Sequence, residues 1–170
     1  MNKTVRVTLA ALFCVGAVAA CSKKAVKAAP PPPPEPMAQT QAPTNDGAYT
    51  PESLDTVDCL RQRTVYFDFD SNEVKPEYQA FLACHAKYLR DQPQSRMNLE
   101  GNADERGTRE YNLGLGERRG NAVSSAIQGN GGSGNQISVI SYGEERPTCA
   151  DSGESCWQRN RRVEIVYTTK

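Results

Sequence analysis

Histidine occurs once, as His85, and neither sign of charge is in excess: Lys and Arg together number 20, Asp and Glu together 20. Such a balance provides no basic field, so no nucleic-acid partner is expected. One imidazole and the absence of any CxxC pair make a poor zinc set, and no metal or cofactor is expected. A metal triad, a Cys/His pair or a Ser with its base also needs more than this chain holds. Asp104 and Glu105 could serve as paired acids, but adjacent loop residues diverge. These absences point to a binding protein, not an enzyme.

Long apolar runs are missing too, apart from "VTLAALFCVGAVAA" at 7–20, which follows Lys3 and Arg6. Its length and flanks describe an export signal, too short to span a bilayer. The ending "VAAC" resembles the lipobox of bacterial lipoproteins, so residues 1–20 are expected to be cleaved and Cys21 acylated. A soluble periplasmic protein with an ordinary Cys21 thiol is the plainer alternative. Acyl chains at ~0.8 kcal/mol per buried CH₂ would make the anchor effectively permanent. Ser22, where such lipoproteins carry Asp for inner-membrane retention, points to the outer membrane, with the domain facing the periplasm. Without Lys3 and Arg6 the chain is slightly acidic.

Residues 21–58 are rich in Pro, Ala and polar groups and read as a disordered linker. Pro30 to Pro34 form a stiff polyproline II rod. A tether of roughly 40 residues reaches ~130 Å extended and averages ~35 Å as a coil. Beyond it, Cys59, Cys84, Cys149 and Cys156 form an even set in an exported chain, which suggests two disulfides. Sequence does not choose among the three possible pairings. Cys149 with Cys156 would staple a short Gly/Ser loop, and Cys59 with Cys84 would tie the domain entrance to the first helix; that pairing is the expectation.

From 59 to 170 the periodicities change. Thr64 to Phe69 alternates as a strand. Pro76 opens a helix whose apolar Tyr78, Phe81, Leu82, Ala86 and Leu89 recur until Pro93, with His85 on a helix face. "RMNLEGN" is a second strand. Tyr111, Leu115, Ala122, Val123, Ala126 and Ile127 share one face of a helix ending at Gly129. "QISVISYG" and "RRVEIVYT" complete a β-α-β-α-β-β order, an α+β domain with helices on one face of a small mixed sheet.

Acids and arginines crowd "GNADERGTREYNLGLGERRG", 101–120. Asp104 and Arg106 fall in the loop after the second strand. Arg119 lies on the following helix, about two turns past Tyr111, on the side that carries the loop. Asp104 and Arg119 could form an internal salt bridge, worth ~0–1 kcal/mol if exposed. Alternatively, they could grip a zwitterion, the arginine taking a carboxylate bidentately. Spacing alone favours the salt bridge.

"VYFDFD", "GNADERGTREYN", "LGERRGNAV", "SYGEERP" and "NRRVEIVY", in this order, resemble the OmpA C-terminal-like family over the whole domain. The resemblance implies non-covalent binding of peptidoglycan through the meso-diaminopimelate of its stem peptide. It assigns Asp104 and Arg119 as the main clamp, Asp70 and Arg106 as further groove residues, and Gly107 and Asn112 as support. It further implies a TolB-like β-propeller and the Tol complex as partners, in an envelope and cell-division system. A protein-interaction scaffold with little direct wall binding is the alternative. Gly116 and Gly120 replace the family's commoner Ser and Ala, at ~1 kcal/mol of helix propensity each. The ligand suits opposed charges, because its D-configured carbon carries both an ammonium and a carboxylate.

Two other patterns fail. Gly114, Gly116 and Gly120 lie inside a helix, where no dinucleotide turn can form. Asp68, Asp70 and Asn72 begin a calcium-like loop, but Glu73 and Gln79 stand where it needs Gly and Glu.

Overall fold

The computed structural model describes residues 47–170. The expected signal at 1–20, Cys21 and most of the expected linker lie outside the described residues. Alternation in the sequence becomes a mixed sheet of four strands: β1 (Thr64–Tyr66), β2 (Arg96–Asn102), β3 (Ile137–Gly143) and β4 (Arg162–Thr169). Their order is β1-β4-β2-β3, with β2 and β3 parallel and the other pairs antiparallel. A parallel pair requires a crossover, which the long helix α4 (Arg109–Gly129) supplies. In the central strands Met97, Leu99, Val163 and Ile165 are buried, whereas Asn98, Glu100 and Glu164 between them are half-exposed. Period two therefore sends one face to the helices and the other to solvent.

Helix α3 (Gln79–Asp91) follows a 3₁₀ turn opened by Pro76, where the missing N–H is harmless. Phe81, Leu82, Ala86 and Leu89 enter the core as their spacing requires, and Cys84, His85 and Tyr88 are buried as well. The wider buried face arises because two short helices, α1 (Ser53–Thr56) and α2 (Asp58–Arg61), precede β1, and α2 packs on α3. His85 is thus a core residue. Its Nε2 faces the Gln62 carbonyl at 2.8 Å and its Nδ1 the Tyr167 hydroxyl at 2.8 Å. A carbonyl can only accept, so Nε2 carries the proton and Nδ1 accepts.

The folded region starts earlier than the expected boundary at Cys59. Tyr49 and Leu54 are 2% and 0% exposed in the core. The Tyr49 N–H donates to Asp91 Oδ2, its carbonyl accepts from Gln92, and Lys87 lies over its ring. Composition averaged over a Pro-rich window hides two apolar anchors of this kind. Strand β1 is also shorter than expected. Phe67 still donates to the Arg161 carbonyl, but the chain then turns, leaving Phe69 exposed. A seven-residue helix, α5 (Glu154–Asn160), stands between β3 and β4, where no helix is expected. The expected disulfides, Cys59–Cys84 and Cys149–Cys156, are both present.

Gly116 and Gly120 have a packing reason. A Cβ on Gly116 would sit 2.8 Å from the Gly101 carbonyl oxygen and would collide with the Ser141 hydroxyl; one on Gly120 would collide with Val139. The backbone of α4 lies directly on β2 and β3, and the lost helix propensity is the cost of that approach.

Candidate functional site

Three segments meet above the sheet: the loop after β1, the loop between β2 and α4, and the first half of α4. Thr108 caps α4, its hydroxyl accepting from the Tyr111 N–H, and so fixes how the loop enters the helix. Gly107, at φ +114°, makes the preceding turn, in a region that side chains rarely adopt. The segments enclose a pocket of about 190 Å³. Asp70, Asp104, Arg106, Gly107, Asn112 and Arg119, all picked out in the sequence, line it together with Phe69, Tyr111 and Leu115.

Arg119 is fully buried. Its Nε and two terminal nitrogens donate to the carbonyls of Ser71, Asn102 and Asp68 at 2.8, 2.9 and 3.1 Å. A guanidinium has five N–H groups, so two remain uncommitted. Among the described residues Arg119 joins no ion pair with a carboxylate. Burial, and then the charge of Arg161, lower its pKa to about 10, and it stays cationic at neutral pH. A buried cation that lines a pocket, bonded directly only to carbonyls and with Asp104 and Asp70 acting on it through space, is suited to receive an anion.

The salt bridge between Asp104 and Arg119 that spacing favours does not form. Asp104 is instead held by Arg106, through Nε at 3.0 Å and a terminal nitrogen at 2.7 Å, and by Arg161 at 3.1 Å. With the Arg106 backbone N–H also donating, each carboxylate oxygen accepts two hydrogen bonds. Burial pushes the Asp104 carboxyl up, but the bonds from Arg106 and Arg161 outweigh it and hold it below the usual carboxylate range. Arg106 in turn lies over the rings of Phe69 and Trp157, at 4.0 and 4.1 Å from their centroids. Asn112 donates to the Asp104 carbonyl and to Glu144, tying the loop to the segment after β3.

Asp70 stands at the rim, exposed, with the Tyr111 hydroxyl donating to it. Its φ of +53° makes it the one non-glycine residue among those described with a left-handed backbone. Such outliers gather at binding sites, where the surroundings over-determine the conformation. Arg161, Glu154 and Trp157 are members of the site that sequence reasoning did not assign. The arginine lies within the "NRRVEIVY" motif, but nothing local shows that its partner stands 57 positions away. Among the described residues no group of His, Cys, Asp and Glu could hold a metal ion.

A two-layer α+β domain with a charged pocket over one end of its helical layer defines the class. The OmpA family profile matches residues 66–161, and the chain belongs to the OmpA family. Within it, the chain is 39% identical over 169 residues to the peptidoglycan-associated lipoprotein of Haemophilus influenzae, covering 98% of this chain and 100% of that protein. The crystal structure of the peptidoglycan-associated lipoprotein from Burkholderia pseudomallei superposes with a TM-score of 0.66 at 44% identity, covering 68% of this chain and 98% of that one. The C-terminal domain of Helicobacter pylori MotB shares the fold, with a TM-score of 0.57 at 23% identity over 63% of this chain and 84% of that one.

Proposed function

We propose that this protein is an outer-membrane lipoprotein that binds peptidoglycan without covalent attachment and tethers the membrane to the wall. The observation that carries the reading is Arg119, a buried cation that lines the pocket with two N–H groups uncommitted. It receives the carboxylate of meso-diaminopimelate. The ammonium on the same carbon lies toward Asp70 at the rim and in the field of Asp104. Direct contact with Asp104 requires Arg106 to yield, because the carboxylate is fully bonded here. A lysine side chain of a host protein offers only the ammonium and is discriminated against for lack of the carboxylate.

The pocket suits binding, because it brings a cation and carboxylates together on separate partners. Each contact is weak, and many anchored copies facing a repeating polymer convert weak contacts into firm attachment. Cys21 carries the lipid, and the linker lets the domain reach the wall. Resemblance to the family extends the reading to a TolB-like β-propeller and the Tol complex as partners.

Co-sedimentation of the detergent-solubilised protein with purified sacculi tests the tether. Wild type should pellet and a folded Arg119→Ala variant should remain in solution. Equal pelleting of that variant would place the binding surface elsewhere. A wild type that stays in solution while a TolB-type propeller captures it would favour the scaffold role.

A further inference from the structure

The segment between β3 and β4 grips the ligand loop from outside the pocket. Helix α5 has only seven residues, and Gly153 at its N-cap offers no side chain to cap it. A helix this short is not stable by itself. It is held by a closed ring. Cys156, in its first turn, is joined to Cys149. Asn160, at its end, accepts from the Cys149 N–H at 3.1 Å and donates to the Cys149 carbonyl at 2.8 Å.

Three consecutive residues of the ligand loop have partners on this ring or just beyond it. Glu105 Oε1 accepts from the Ser152 hydroxyl at 3.2 Å and from the Trp157 indole at 3.0 Å. Arg106 lies over the Trp157 ring and stands 3.7 Å from Glu154. Asp104 is held by Arg161, which also donates to Glu154 and to the Phe67 carbonyl. The Cys59–Cys84 bridge is different. It joins α2 to α3 in the apolar core, and neither cysteine lines the pocket.

We propose that the Cys149–Cys156 ring is a positioning element for the ligand pocket: the disulfide sets α5, and Glu154 and Trp157 on α5 set Arg106 and the loop that carries Asp104. The inference rests on the reading of this pocket as the peptidoglycan site. The two disulfides then have separable roles, one for affinity and one for stability alone.

The test uses the full chain in detergent, with binding isotherms on purified sacculi and thermal unfolding of each variant. Cys149→Ser/Cys156→Ser should weaken binding by roughly tenfold, the size of effect expected when the support of a ligand-holding residue is lost. Cys59→Ser/Cys84→Ser should lower the unfolding temperature at least as far, its closed loop being longer, yet keep wild-type affinity. If removing the Cys149–Cys156 bridge leaves binding at wild-type strength, the inference is wrong. A wild type that does not bind sacculi overturns the reading of the pocket, and this inference with it.

Three further variants keep both disulfides and cover the case in which the first does not fold. Trp157→Ala should weaken binding while Trp157→Phe, which keeps a ring under Arg106, restores most of it. Glu154→Gln should weaken binding with little change in unfolding temperature. Wild-type affinity in both Trp157→Ala and Glu154→Gln would equally overturn the proposal.

Discussion

Arg119 and Asp104 line one pocket without pairing: Arg119 is held by the carbonyls of Asp68, Ser71 and Asn102, while Asp104 is held by Arg106 and Arg161. Arg119, held by carbonyls alone, keeps N–H groups for an anion, whereas Asp104 is already paired with two arginines and meets a ligand ammonium directly only if Arg106 yields. A direct Asp104–Arg119 salt bridge would have taken up the arginine as well.

The guanidinium fork at position 119 serves the protein and the ligand at once. Arg119→Lys keeps the charge but has three N–H donors where the guanidinium has five, so it cannot hold the three carbonyls and also offer two further donors. Loss of one charge-assisted hydrogen bond is worth about 1.5–3 kcal/mol, so sacculus affinity should fall roughly 10- to 150-fold. A binding isotherm checks this, and wild-type affinity in the lysine variant would show that the fork is not used.

Gly116→Ala should destabilise the protein even though alanine is the better helix former. The gain in propensity is about 1 kcal/mol. The new methyl group, however, would stand 2.8 Å from the Gly101 carbonyl oxygen, a backbone atom in the central strand β2. Overpacking of this kind costs about 1–3 kcal/mol, enough to cancel or exceed the gain. Denaturant unfolding should show a net loss, with an unchanged slope if the fold is kept. A more stable alanine variant would mean that α4 lifts easily from the sheet.

His85 makes stability depend on pH. Burial, against the weaker effect of its bond to the Gln62 carbonyl, lowers its pKa from 6.5 to about 4. The folded state therefore keeps the ring neutral while the unfolded state takes up a proton below 6.5. Its contribution is fully present above pH 6.5 and is lost as pH falls toward 4. The loss should reach about 2 kcal/mol at pH 5 relative to pH 7.5. Guanidinium unfolding at the two pH values measures it. In His85→Gln, which has no titrating ring, the difference should largely vanish.

Tyr49→Ala should destabilise the whole domain. The ring is buried beside Cys59 and under Lys87, and the backbone joins Asp91 and Gln92 at the end of α3. Truncating a buried aromatic costs about 3–5 kcal/mol. If thermal unfolding is unchanged, residues 47–58 are dispensable and the domain begins at Cys59 after all.

Local pattern was enough for the main elements. Period two marks Met97 and Leu99 in β2 and Val163 and Ile165 in β4, and helical spacing marks Phe81, Leu82, Leu115 and Val123, because each pattern needs only its own segment's neighbours. Asp104, Gly107, Asn112 and Arg119 are picked out by the motifs that resemble the OmpA family and not by local pattern, since spacing alone favours an internal salt bridge; the structure places all four on one pocket. Tertiary structure decided the rest. Several arginines could have paired with Asp104, and only the path of the chain brings Arg161 to it while holding Arg119 on backbone carbonyls. Glycine at 116 looks like a weakness in a helix until the carbonyl of Gly101 is seen beneath it. Tyr49 sits in a stretch whose composition describes a linker, and it folds because a cavity formed by distant residues accepts one aromatic ring. Charge pairing, close approach and anchor sites depend on distances between remote parts of the chain, and a linear sequence does not contain those distances.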